Sequence, residues 1–216
     1  MTLLEFARGP ALTVSLTVLI AGTLWRLGRL AARPAPRDLS EPRGSAAAGA
    51  LRGIAHRFWP HPRFGAKIGF STAIGYIYHL GLAVIVFTFL PHIQFIQKLT
   101  GLHWPALPDP VTYFAGALTT AALIIVVIQR HGDPVKRMLS RFDDYFSWFV
   151  TFLPVITGMA LIGIDPDSVS PAIAVHLLSV ELLFVWFPFG KLMHAVTVFW
   201  SRGITGAKYA RRGALP

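Results

Sequence analysis

The chain contains no cysteine. That excludes disulfides, thiolate metal sites, iron–sulfur ligation by this polypeptide and covalent CxxCH haem attachment. Charge is scarce too. Asp, Glu, Lys and Arg make up 14% of the 216 residues, against about 25% in soluble domains. Hydrophobic residues reach 54% and mean hydropathy is +0.56. A chain this apolar is neither a solvated globule nor disordered, because disordered chains are polar. Acidic residues are rarer than basic ones, 10 against 20, for a net charge of +10. The sequence also lacks a Gly-rich phosphate loop after a strand, a Ser/His/Asp cluster and any internal repeat.

Long apolar runs are what it has. Five are near the roughly 20 residues needed to cross a bilayer: Pro10–Trp25 with its flanks, Ile68–Ile96, Val111–Ile128, Tyr145–Ile164 and Pro171–Trp200. Hydrocarbon tolerates no unpaired backbone group, and none of the runs alternates apolar with polar, so each is expected to be a helix. The fold class expected is all-α, a five-transmembrane-helix bundle. Of the 20 Lys/Arg, 18 fall in Arg26–Lys67, Arg130–Arg141 and Lys191 to the end. The other connections carry only Lys98, or, between Gly163 and Ser170, only Asp165 and Asp167. The positive-inside rule then places the N-terminus outside and the C-terminus in the cytoplasm. This placement accounts for the basic charge without nucleic acid, since the cations are dispersed over three segments. Glu5, Arg8 and the lack of an AxA-like site favour a retained first helix over a cleaved signal. The expected organisation is a first helix (1–31), a cytoplasmic loop (32–67) with a short amphipathic helix near SAAAGALRGIAHRF, a four-helix core (68–201) and a basic tail (202–216).

Histidines carry the chemistry. Four of the eight, His56, His61, His103 and His131, fall in loops. The other four fall in spans, where polar residues are costly and have work to do: His79 and His92 in the second, His176 and His194 in the fifth. His176 and His194 are 18 residues apart, five helical turns, which on one helix gives one face at depths about 27 Å apart. The two spans run in opposite directions, so His79 matches His194 in depth and His92 matches His176. Facing imidazoles across a bundle are the axial ligands of b-type haem. A proton relay, a non-haem metal site and isolated structural histidines remain alternatives. His92 lies 13 residues after His79, about 140° away on an ideal helix. Pro91 must break or kink the span for both to serve; otherwise one haem is expected instead of two.

The stretch His176–Trp200, HLLSVELLFVWFPFGKLMHAVTVFW, resembles the last helix of the respiratory nitrate reductase gamma subunit family, a His, seventeen residues with an FPF-Lys/Arg-Leu run, then a His. Asp133–Met159 resembles that family's basic loop and fourth helix, and Tyr78–Leu82 (YHLGL) its first haem histidine. The resemblance covers about Gly65 to Ser201 and includes relatives in sulfite-reduction and heterodisulfide-reductase-like complexes. It implies a dihaem membrane anchor of the cytoplasmic (inner) membrane that passes electrons between quinol and a cytoplasmic iron–sulfur subunit, with a separate catalytic subunit, as a hetero-oligomer. Carried over, His79 and His194 hold the inner haem iron, His92 and His176 the outer. The family's second-span histidines usually stand ten apart; here they stand thirteen apart.

Two further residues are candidates for quinone binding. Lys98 lies just past the outer level, and Glu181 lies within the fifth span. Arg130, Lys136, Arg137 and Arg141 are candidates for haem propionates or the partner. The competing readings are a haem-free anchor or assembly subunit and a small transporter, the latter disfavoured by the missing inverted repeat.

Overall fold

A computed structural model describes residues 1–34, 39–60, 62–164 and 170–214. His61, Asp165 and Asp167 lie outside the described residues, and so does part of the loop linker. Among the described residues the chain is helical, without strands. The elements are α1 (Leu3–Ala31), α2 (Ala46–His56), α3 (Gly65–Thr88), α4 (Leu90–Thr100), α5 (Asp109–Gly132), α6 (Pro134–Leu139), α7 (Phe142–Met159), α8 (Ser170–Trp186) and α9 (His194–Arg211).

The surface explains the composition. Phe70, Leu80, Phe114 and Ile128 are 62–66% exposed, and many other Leu, Ile and Phe side chains are more than a third exposed. Such an apolar exterior belongs in lipid. Three described helices, α1, α3 and α5, are long and apolar enough to cross a membrane. The count rises to four if α8 and α9 form one bent span. The protein is a multi-pass membrane protein.

The five expected spans are not all reproduced as continuous helices. The second ends at Thr88, with Phe89 extended at φ −79° and ψ 127°. Pro91 has no N–H for the carbonyl of Phe87 and fits the first turn of a new helix, so α4 starts there. The fifth breaks after Trp186, where Pro188 interrupts the ladder, and the chain turns by 78° before α9. The expected continuous helix through His176 and His194 therefore does not exist. The fourth, α7, has 18 residues and opens with Asp143 and Asp144, which leaves it short of the length and apolarity of the others. α9 runs through residues 201–202 without a break, so the expected tail begins as helix.

Packing relies on close backbone approach. α3 lies along α5, α8 along α7, and α1 packs on α8. Gly22 of α1 meets Pro188, where a Cβ would stand 2.7 Å from the proline ring. The amphipathic helix expected near residue 46 is α2, capped by Ser45, whose Oγ accepts from the Ala48 amide at 3.3 Å. It packs on α9. Gly49 and Gly53 face Gly206, and a Cβ on Gly53 would meet the Arg202 carbonyl at 2.8 Å. Phe58 continues this contact against Phe199, and the Arg202 guanidinium lies 4.8 Å from the Phe58 ring centre. Tyr76 donates its hydroxyl proton to the Phe58 carbonyl and ties the pair to α3.

A Gly206→Val change forces α2 and α9 apart, because a Cβ there overlaps the Gly49 carbonyl. We expect a cost of about 1–3 kcal/mol and faster proteolysis before Ala46, read by limited digestion in detergent. The loss is expected to leave the α3–α5 pair intact.

Candidate functional site

Both helix breaks place a histidine in the first turn after them. At the first, three carbonyls at the end of α3 lose their helical partners and find others. The His92 ring takes Ile85 through Nδ1 at 2.8 Å. The Trp104 indole N–H takes Phe87 at 2.5 Å, the carbonyl that Pro91 cannot serve. The Leu107 amide takes Thr88 at 3.0 Å. The 140° mismatch between His79 and His92 disappears because they do not share a helix.

At the second break Lys191 is the node. Its amide donates to Asp143 Oδ1 at 3.1 Å, and its ammonium to Asp144 Oδ2 at 2.5 Å. Its carbonyl accepts from His194 Nδ1 at 2.7 Å. Arg130 closes the cluster from α5, 3.2 Å from Asp144. The Asp144 side chain is 8% exposed. Burial alone would raise its pKa, but the Lys191 hydrogen bond, the Arg141 amide and the charges of Lys191 and Arg130 outweigh it and hold the carboxyl below its ordinary value.

The histidine rings meet in two pairs. His79 and His194 have ring centres 5.9 Å apart with planes at 86°, and His92 and His176 have centres 6.2 Å apart at 18°. Two imidazoles on opposite sides of one metal ion have centres about 6 Å apart, from metal–nitrogen bonds of about 2.0 Å plus the ring radii. That geometry fixes the line between the two nitrogens and leaves the angle between planes free.

Every one of these rings is anchored through Nδ1. His79 donates to the Gly75 carbonyl at 2.7 Å, His92 to Ile85 and His194 to Lys191 as above. His176 Nδ1 lies 3.1 Å from Thr157 Oγ1, a hydroxyl that is also 2.8 Å from the Leu153 carbonyl. A carbonyl only accepts, so in His79, His92 and His194 Nδ1 carries the hydrogen and Nε2 is left as a bare lone pair, the arrangement of metal-ligating histidines. Gly158 makes room for His176: a Cβ there would stand 3.1 Å from its Cε1. Gly75, one turn before His79 on the same face, has nothing within 4 Å of its would-be Cβ, so the backbone beside that ring is open to a flat macrocycle. Among the described residues no group of three or more His, Asp or Glu is placed to share a metal ion. Each pair thus offers two ligands, the number a bis-histidine haem iron takes from its protein. The residues fit haem.

The remaining candidates separate. Lys98 is exposed in the last turn of α4, away from a buried polar site. Glu181 is 5% exposed. Arg130 and Lys136 border a cavity of about 180 Å³ with Ser71, Gly75, Tyr78 and Gln129. In it the Lys136 ammonium donates to Ser71 Oγ at 3.0 Å and Gln129 Oε1 at 3.1 Å. Arg137 turns to the His131 carbonyl instead. His56, His103 and His131 are exposed. Sequence reasoning missed Asp143, Asp144, Thr157 and Trp104 as supports of these rings. Paired aspartates at the start of an apolar run and a Trp past Pro91 were the available signals.

The comparisons with known proteins point the same way at a coarser level. No family model matches the chain, and no solved structure matches it. A protein of Nitratidesulfovibrio vulgaris (strain Hildenborough) is 29% identical over 224 aligned positions, 96% of this chain and 94% of that protein. A protein of Archaeoglobus fulgidus named Hdr-like menaquinol oxidoreductase cytochrome b-like subunit is 25% identical over 175 positions, 66% of this chain. The chain spans about half the length of that second relative, 53%. The chain is a distant, partial relative of a protein named as a cytochrome b-like subunit.

Asp144→Asn is expected to loosen Lys191 and, through its carbonyl, His194. The lowered pKa of Asp144 gives stability that is present above the ordinary carboxylate range and lost as pH falls through the lowered value. Melting in detergent should show the variant about 1 kcal/mol less stable near neutral pH, with the difference shrinking below about pH 4. A gap that persists at low pH would refute the ion-pair account.

Proposed function

We propose that this protein is a dihaem cytochrome b subunit of the cytoplasmic membrane that carries electrons between quinone and a cytoplasmic iron–sulfur partner, within a hetero-oligomer that includes a separate catalytic subunit. The observation that carries the reading is the double pair of imidazoles with centres about 6 Å apart, each held by a hydrogen bond at Nδ1. The name of the Archaeoglobus relative supports it. In this reading the bundle has five spans, with α7 as the fourth, and the basic segments face the cytoplasm.

Bound haem supplies reversible one-electron chemistry at iron. His79 and His194 would hold one haem iron at the inner level, and His92 and His176 a second at the outer. The anchoring carbonyls of Gly75 and Ile85 are ten residues apart on α3, about 15 Å along its axis, so the two levels are close enough for electrons to pass between them. Hydrogen bonds to Nδ1 raise the basicity of each ring and hold its direction. Arg130 and Lys136, beside Gly75 at the inner level, are placed to neutralise propionates. Lys191 ties the inner level to the α7 terminus, where the exposed Lys191 and Arg141 give the iron–sulfur partner a charged surface to recognise.

The test is haem stoichiometry. Chain purified from haem-supplied cells should show a b-type α-band on dithionite reduction and two haems per chain. His79→Ala or His194→Ala should remove one haem, and His92→Ala or His176→Ala the other, while His103→Ala removes neither. A haem-free wild-type preparation of normal helicity would sink the reading and leave an anchor subunit.

A further inference from the structure

On the side of α8 turned away from its histidine lies a second cavity. It measures about 380 Å³ and is walled by Phe6, Pro10, Ala11 and Val14 of α1 and by Leu178 and Leu182 of α8. Its lining is apolar but for Ser15 and Glu181. Ser15 has already given its hydroxyl proton to the Leu12 carbonyl at 3.0 Å. Glu181 has not been satisfied: both carboxyl oxygens are buried without a hydrogen-bond partner. A buried carboxyl in that condition is costly, and native interiors keep such groups where a ligand or a proton completes them.

The wall opposite is irregular. Residues Ala7–Ala11 wind as a π turn with Pro10 inside it. Single π turns within long helices widen the backbone and concentrate at functional sites. The cavity and the irregular turn are thus observations independent of the carboxyl.

Chemistry narrows the occupant. An acyl chain fills the volume but leaves the carboxyl unpaired. A phosphate is repelled by it. A cation finds one carboxyl and one hydroxyl already committed, too few oxygens for a hard ion. A flat, mostly apolar ring bearing a hydroxyl fits on both counts, and the volume lies within the usual range for small-ligand pockets. We propose that this cavity binds the head group of a membrane quinol, and that Glu181 accepts its protons.

The placement suits that role. Glu181 follows His176 by five residues, about 7.5 Å along the axis and 140° around it. Pocket and outer imidazole pair therefore sit on opposite flanks of one helix, about a helix diameter apart. Oxidation of one quinol to quinone yields two electrons and two protons. The electrons go one each to the two ferric haems of the proposed function, which become ferrous. The protons go in turn to the Glu181 carboxylate, which becomes a carboxylic acid and releases each to water at the His92–His176 end before taking the next. This assignment rests on the dihaem reading for its electron acceptors, but the binding site does not.

Binding is therefore measured without reference to haem. The fluorescence of 2-heptyl-4-hydroxyquinoline N-oxide, a quinol analogue, is titrated with the full chain in detergent. Saturable quenching is expected for wild type. Val14→Trp, which fills the cavity, should abolish it, and the near-isosteric Glu181→Gln should weaken it at least tenfold. Val111→Trp, exposed on α5, should leave it unchanged. Helicity by circular dichroism separates misfolding from lost binding, and Glu181→Gln decides if Val14→Trp misfolds. No binding by wild type, or equal binding by Glu181→Gln and wild type, overturns the proposal. Haem content from the dithionite spectrum is read separately, so a missing haem overturns only the electron acceptors. With haem present, stopped-flow reduction by menadiol should slow at least tenfold in Glu181→Gln, and dithionite should still reduce all of it.

Discussion

Hydrocarbon offers nothing to a backbone amide or carbonyl, and every feature of this bundle follows from how that requirement is met. Along α1, α3 and α5 the helix meets it internally. At the end of α3 it is met by substitution: the His92 ring, the Trp104 indole and the Leu107 amide take the carbonyls that the break exposes. The histidine is thus both a structural cap and a candidate ligand, and the same hydrogen bond serves both. Fixing the backbone at the break fixes the direction of Nε2.

The second break uses a different device with the same outcome. Here the backbone of Lys191 is clamped between an aspartate on its amide and an imidazole on its carbonyl. The ion pair to Asp144 adds little energy on its own, because the lysine side chain is 54% exposed. Its contribution is positional. α7, though marginal as a span by apolarity, supplies at its first turn the acids that hold Lys191 and, through it, His194, and further along it Thr157 and Gly158 that hold and admit the His176 ring. One helix thereby supports a ring at each level.

The membrane class was legible from composition, and the four histidines from their location in apolar runs. Their grouping into pairs was reached by matching depths, and the rings so grouped do lie side by side. The intermediate geometry was not legible. Five turns of continuous helix from His176 to His194 were assumed, yet Pro188 lies between them, and a proline in a helix interior removes a bond and clashes one turn back. The break expected at Pro91 is present, and a new helix starts there because the carbonyls of Phe87 and Thr88 before it are capped from a distant loop. That loop contains Trp104, whose partner 17 residues earlier no local pattern announces. Glu181 stands out by its position in an apolar run, whereas the pocket it shares with Pro10 and Ala11 of the π turn is invisible in periodicity.

Each imidazole pair sets one ring on uninterrupted helix against one ring on the first turn after a break: His79 against His194, and His176 against His92. The interval along the chain is thereby uncoupled from the distance in space. Residues gained or lost at the break are absorbed by the non-helical joint, and the new helix simply starts again at the ring. The two mountings behave like a vice with one fixed and one sliding jaw. A spacing of thirteen from His79 to His92 can hold the same gap that a spacing of ten holds on a straight helix, and a pattern keyed to a constant interval passes over chains built this way.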